Sequence, residues 1–421
     1  MIAGSRLAAA LVAAVAMVCA AAVPAVAAAA AAPIRIGFGM AQTGPLAANG
    51  KSALIAMQIW ADDTNKKGGL LGRPVQLDFY DDQSQPSIVP GIYTKLLDVD
   101  KVDLVVSGYG TNVIAPAMPV IIAHNKTFLA LFGLAVNSEF HYPKYFTMTP
   151  TGPDAAVSVT KGFFEVGAAQ NPKPKTLALV AADAEYPRNA SEGVRKNAKT
   201  YGLKIVYDKT YPPSTTDYSP IIRAVQATEP DEVFVASYPL DTVGMVRAAN
   251  EVGLKTKLFG GGMVGLQTTS VKLQLGPLMN GIVNYDFWIP APTMQFPGVL
   301  DFLKKYQVQA AKQGVDPLGY YLAPWAYAYL QVLGQAVEGA GSLDQDKIAA
   351  YLRDHTSKTV MGDIAFGEDG ELSESRGLMV QYQHLTGNGI DQFEGGKNPV
   401  IVWPAKYKDG EVIYPYDAAR K

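Results

Sequence analysis

The sequence predicts an α/β protein of two lobes, each a mostly parallel sheet flanked by helices. Three observations carry this. Short apolar strands alternate with amphipathic helices, the signature of parallel βαβ units. The alternation restarts after "TGPD" (151–154), which gives two similar units in series. The chain has 421 residues, 48% hydrophobic and 18% charged, enough for two domains with ordinary cores.

The elements follow in order. "PIRIGFGM" reads as a strand, and "KSALIAMQIWADDTNKKG" as a helix with Leu54, Ile55, Met57, Ile59 and Trp60 among its apolar positions. "GGLLGRPVQLDFYDD" is a turn and strand, "PSIVPGIYTKLLDVDK" a helix, "VDLVVSG" a strand and "NVIAPAMPVIIAHN" a helix. "TFLALFG" and "KYFTMTP" close the first unit as strands. The second unit repeats the rhythm through "KTLALVAAD", "LKIVYDKTYP", "DEVFVASYP", "KTKLFGG" and "GIVNYDFWIP", with helices between. Two long helical stretches and "DQDKIAAYLRDH" follow. The tail, "DIAFGEDGELS", "LMVQYQHL" and "NPVIVWPAKY", reads as β with polar turns.

The N-terminus has its own character. Arg6 is the only charge ahead of a long Ala-rich apolar run with Ala-x-Ala sites, so residues 1–32 are expected to be a secretory signal cut between Ala27 and Ala32. The competing reading is a retained anchor; Pro24 and the Ala-rich end favour cleavage. Cys19, the single cysteine, lies inside this segment and follows Val18, where a lipidation site wants a small residue. The mature chain is then expected to lack thiol chemistry and disulfides. A formal charge of −2 gives no support to nucleic-acid binding.

Several motifs fail on spacing. "GPLAANGKS" resembles a phosphate-binding loop, but five residues separate Gly44 from Gly50 where four are needed. His124, His141, His355 and His384 pair at no metal-binding spacing. No Gly-x-Ser-x-Gly elbow is present. The pairs Asp62–Asp63 and Asp81–Asp82 read as solvated turn residues. "GGGMVG" (260–265) fits Gly-x-Gly-x-x-Gly, and a tight turn over a cleft is its better reading than dinucleotide binding. No cofactor is expected.

The ends of strands are more informative, because ligands of open α/β sheets sit beyond the strands' carboxyl ends. "SGYGTNVIAPA" places Tyr109 and Gly110 at a strand end and Thr111 or Asn112 as the cap of the next helix. The amides of such a helix start bind an anion without Lys or Arg. "LFGLAVNS" places Phe132, Gly133, Leu134 and Ala135 at the next strand end. The second unit offers an opposing wall: Asp183, Tyr186, Tyr238, Tyr285, Phe287 and Trp288. Together these predict a cleft lined with rings, suited to an apolar or aromatic ligand body.

"IRIGFGMAQTGPLAANG", "NKKGGLLGRPVQLDFYDDQSQP", "LKTKLFGG" and "YAYLQVLGQAVEGAGSLD", in that order, resemble the type I periplasmic solute-binding proteins of ABC transporters, in the branched-chain amino-acid binding family. The resemblance implies two lobes joined by three hinge crossovers, near Pro150, Tyr285 and Val360. The N-terminal lobe would comprise 33–150 and 285–359, and the C-terminal lobe 151–284 and 360–421. It implies a periplasmic monomer that closes on a small carboxylate and delivers it to membrane permease subunits. Gly110, Thr111, Asn112, Gly133, Leu134 and Ala135 match the family's carboxylate-holding positions, and Tyr186 and Tyr238 its second-lobe contacts. Asn49 falls near a position that is often aromatic, and Lys51 is expected to face solvent.

One departure bears on the ligand. Amino-acid binders carry an acidic residue after "KTKLFG" to pair with the ligand ammonium; here Gly261, Gly262 and Met263 stand there. A buried ammonium without a counter-charge is costly. The expected ligand is therefore an aromatic or hydrophobic carboxylate without an α-ammonium, with Gly262 and Met263 at its edge. Asp183 or Asp286 could restore an acidic partner. The alternatives are a branched-chain amino-acid binder and a ligand sensor of the same fold; a nucleotide-using enzyme lacks both loop and address.

Overall fold

The computed structural model describes residues 31–420; the expected signal and Cys19 lie outside the described residues, apart from the signal's last two. Two large sheets make the framework. The first holds β1 (Ile34–Gly39), β2 (Val75–Tyr80), β3 (Leu104–Tyr109), β4 (Phe128–Leu131) and β5 (Tyr145–Thr147). All its pairings are parallel, in the order β2-β1-β3-β4-β5. The second holds β6 (Thr176–Ala182), β7 (Lys204–Tyr211), β8 (Glu232–Ser237), β9 (Leu258–Met263) and β10 (Val283–Asp286). Beyond a short hairpin of β11 (Ser357–Thr359) and β12 (Gly362–Ile364), the chain adds β13 (Leu378–Gln381) and β14 (Val400–Trp403) to the second sheet. Its order is β7-β6-β8-β9-β10-β13-β14, with β13 antiparallel to both neighbours.

The first five strands of each sheet therefore run in the same order, second-first-third-fourth-fifth. Both sheets have their switch point beside the first strand, between β1 and β3 and between β6 and β8. Crevices form outside the carboxyl ends of strands at such points. The strands are buried on both faces, so β3, β4, β6 and β8 read as continuous apolar runs.

The helix Ala47–Lys66 buries Ala53, Ile55, Ala56, Met57 and Trp60 beneath the first sheet and packs along Ala323–Ala340. That second helix is buried almost all round. Its Tyr329 hydroxyl lies 3.0 and 2.9 Å from the Ser107 and Leu129 carbonyl oxygens, which ties it to β3 and β4. Ala155–Ala168, Glu185–Tyr201 and Pro239–Val252 flank the second sheet.

One motif changes character. The first three glycines of "GGGMVG" do not make a turn: Gly260, Gly261 and Gly262 are strand residues of β9, and only Gly265 lies in the 3-10 turn that follows. At Gly261, φ is +98°, and a Cβ would stand 2.3 Å from the Phe234 ring. The glycine lets β8's Phe234 fill the space beside β9, so the motif reports sheet packing.

Candidate functional site

A cavity of about 30 Å³ lies between the two sheets' carboxyl ends. Its walls are Tyr109, Gly110, Thr111, Phe132, Leu134, Thr149, Val159, Tyr186, Tyr238, Val264, Tyr285, Phe287 and Tyr321. Tyr109 ends β3, Phe132 follows β4, Tyr238 follows β8 and Val264 follows β9, so the strand-end rule places the site on both sides.

The first-lobe wall is held in unusual backbone. Phe132 and Ala135 have φ of +65° and +54°, a region that costs about 1–3 kcal/mol for residues with side chains. The turn projects Phe132 into a ring cluster, with centroids 5.0 Å from Phe287 and 5.6 Å from Tyr321. Gly133 between them leaves no room for a Cβ, which would meet the Tyr145 hydroxyl at 2.5 Å. Thr111 to Ala123 form one helical run of three short segments. Neither Thr111 nor Asn112 caps it; the cap position is Gly110, with no side-chain cap bond. The Thr111 hydroxyl instead accepts from the Leu134 amide at 3.1 Å, locking the two first-lobe turns together.

The Asn112 carboxamide oxygen reaches across the cleft. It accepts from the Tyr238 hydroxyl at 2.7 Å and from the Tyr186 amide at 3.3 Å. Asn189 of the second lobe donates to the Leu134 carbonyl at 2.9 Å. The lobes are thus closed, and the enclosed space has room for only one or two waters. Tyr186 donates to the Gly262 carbonyl at 3.1 Å, and the Tyr109 and Tyr321 hydroxyls are 3.2 Å apart.

The electrostatics are those of neutral hydroxyls. Burial pushes the Tyr109, Tyr186, Tyr238, Tyr285 and Tyr321 phenols above their ordinary values, so they remain protonated donors. No carboxylate, lysine or arginine stands among the thirteen lining residues. Asp183 is exposed and away from the cavity wall. Asp286 is buried at the end of β10, where its carboxylate accepts from the Phe287 amide at 2.7 Å. Burial raises its pKa to about 6 against the opposing pull of Lys272.

Of the residues expected at the site, Tyr109, Gly110, Thr111, Phe132, Leu134, Tyr186 and Tyr238 share this wall. Asn112 and Ala135 stand at two separate openings beside it. Gly133, Gly262 and Met263 lie behind it; the Met263 amide is taken by the Asn284 side chain at 2.9 Å. Asn49 is buried in the first helix's opening turn, outside the cavity lining, and its carboxamide oxygen has no hydrogen-bond partner among the described residues, while Lys51 is exposed. Trp288 is also packing, with its indole donating to the Met294 carbonyl at 2.8 Å. Thr149, Val159, Val264 and Tyr321 were not expected. Tyr321 precedes a helix, far from any strand, and only the "GYY" before "LAPW" marks it.

The sequence pattern of the family described as "Periplasmic binding protein" matches residues 33–384. The chain belongs to this family. A leucine-, isoleucine-, valine-, threonine- and alanine-binding protein of Pseudomonas aeruginosa is 25% identical, over 80% of this chain and 87% of the relative. Two solved structures share the fold. One is a solute-binding protein of an ABC transporter from R. palustris in complex with benzoate: TM-score 0.71, 14% identity, 85% of this chain and 94% of the other. The other is a branched-chain amino-acid transporter substrate-binding protein from Streptococcus pneumoniae in complex with isoleucine: TM-score 0.70, 19% identity, 91% and 100%. The expected family and fold class are thereby established. No helix of the described residues is long and apolar enough to cross a membrane.

Proposed function

We propose that this periplasmic binding protein of an ABC transporter takes a small aromatic carboxylate without an α-ammonium and holds it by hinge closure. The observation that carries this is the wall of the cavity: rings and hydroxyls, with no acidic side chain. A zwitterionic amino acid would bury its ammonium there unpaired, at a cost of several kcal/mol. At about 1.4 kcal/mol per tenfold, that is a hundredfold or more in affinity. Benzoate and isoleucine, held by the two solved neighbours, both carry a carboxylate; only isoleucine carries the ammonium.

The carboxylate is held on the first lobe. The Thr111 and Asn112 amides open a helical run and have no intrahelical acceptor, so they point partial positive charge at the cleft. The ring then lies against Phe132, Phe287 and Tyr321, with the lobes standing farther apart than in this closed form, whose space has room for only one or two waters. Phenol hydroxyls of Tyr186 and Tyr238 close from the second lobe. The chain crosses between lobes at three hinges, near 150, after β10, and near 375 rather than near 360, because Phe366 and Gly370 still pack on β5 while Arg376 runs beside Pro150. It acts as an exported monomer, its signal removed, that hands its ligand to permease subunits.

Calorimetry and thermal shift with benzoate, 4-hydroxybenzoate, leucine and isoleucine test the ligand. The aromatic acids are expected to raise Tm and the amino acids to leave it unchanged. Stabilisation by leucine without any response to an aromatic acid returns the protein to the branched-chain amino-acid binders.

A further inference from the structure

Two openings flank the closed cavity, and they differ in charge. One, of about 570 Å³, lies beside Ala135 and Asn189. It carries four exposed carboxylates, on Asp154, Glu192, Glu368 and Asp369. Lys196 is its one lysine and lies 3.9 Å from Asp154; His141 is also exposed there, and Glu371 is buried. The other opening, of about 660 Å³, lies where Asn112 meets Tyr238. Its lining is mainly apolar and hydroxylic, and Leu240 stands 74% exposed at its rim. Its charged groups are two. Asp241 is buried and accepts from the Tyr211 hydroxyl at 2.5 Å. Arg247 is exposed, with no ion-pair partner among the described residues.

We infer that an anionic ligand is drawn into the cleft mainly at the Arg247 opening, is held first in that outer chamber, and passes inward while the hinge is open and the Asn112–Tyr238 hydrogen bond is broken. The inference rests on the carboxylate reading above. Tyr238 belongs to both walls, inner and outer, so its hydroxyl and the Asn112 carboxamide form the partition between them. An anion approaching the other opening meets four carboxylates and one lysine that already has an acidic neighbour. An anion approaching Arg247 meets an unpaired cation over apolar surface that suits a ring, with Asp183 and Asp217 as the exposed carboxylates bordering it in the chain, against four in the lining of the other opening. Fields of this kind act on association, since charges at a cleft steer encounter before any contact is made. Arg247 is thus a capture residue, outside the cavity that fixes the bound ligand.

Stopped-flow fluorescence with benzoate and 4-hydroxybenzoate, at about 10 mM ionic strength where charges are felt over about 30 Å, tests the route. Arg247→Glu and Arg247→Gln are expected to slow association several-fold, in that order of severity, and to leave dissociation unchanged. The difference from wild type should vanish at about 1 M salt, where screening shortens to about 3 Å. Lys196→Glu makes the same charge change at the acidic opening and should slow association much less. Equal slowing by Lys196→Glu, or acceleration by Glu192→Lys with Arg247→Glu silent, overturns the route while leaving the ligand reading intact. Failure of both acids to bind the unaltered protein in calorimetry overturns the ligand reading, and the route with it.

Discussion

The Asn112 carboxamide oxygen takes two donors from the opposite lobe, and at 2.7 Å the Tyr238 hydroxyl is the closer. Tyr238→Phe deletes that donor and keeps the ring. A hydrogen bond of this kind contributes about 1 kcal/mol net. The expected result is a Kd for the aromatic acid raised about fivefold, with the ligand-free Tm nearly unchanged, read by calorimetry and thermal unfolding. An unaltered Kd would show that the cross-cleft bond has no part in closure. The residue scale is also where sequence reading succeeded least evenly. Tyr109, Phe132 and Tyr238 were legible because each stands at or just after a strand end. Asn49 falls outside the cavity lining because the helix begins at Ala47 and buries the residue in its first turn. Tyr321 was invisible because its position depends on how helix Ala323–Ala340 docks against β3 and β4, a long-range fact that local periodicity does not encode.

At the scale of elements, β9 shows how a strand can be dictated by its neighbour. Gly261→Ala would force a Cβ against Phe234 in a backbone region that disfavours side chains. Overpacking of this sort costs about 1–3 kcal/mol, and the strained φ adds to it. Urea unfolding should show a midpoint shifted down by the corresponding amount; an unchanged midpoint would mean that β9 and Phe234 move apart freely. The alternation of strands and helices was readable throughout, because parallel strands buried on both faces leave unbroken apolar runs. "KTKLFGG" placed Gly260 and Gly261 in a strand; what could not be read was that the strand runs on through Gly262 and Met263. Gly lowers every local signal for β structure, and the compensation comes from Phe234, on another strand.

Across the whole molecule, several carboxyls are buried without full compensation. Burial raises Asp82, Asp241 and Asp286 to about 6, and Glu232, with Asp231 beside it, to about 8. Glu371 is raised as well, by burial and then by Asp369. The folded protein holds protons that the unfolded chain releases near pH 4. Their stabilisation is complete below the unfolded pKa and is lost as pH rises through about 6 for the aspartates and about 8 for Glu232. Asp231 runs the other way: burial raises it, but Lys257 at 2.7 Å and backbone donors more than offset that, so its share is lost only in acid. The Tm is expected to fall between about pH 4 and pH 8, the aspartates contributing up to about 6 and Glu232 up to about 8. Glu232→Gln should flatten the upper part of that fall, since each pKa unit is worth about 1.4 kcal/mol. A Tm that rises across this range would contradict the burial argument.

The second sheet has a consequence for the order in which the molecule can be made. Its fifth strand, β10, has β9 on one side and β13 on the other, and β13 and β14 lie at the far end of the chain, beyond the helices that pack on the first lobe. A ribosome adding about 5–20 residues per second needs on the order of 10 s to travel from β10 to β14. Throughout that interval the first sheet can be complete while the second presents an open β10 edge. The last strands to emerge are the ones that cover that edge.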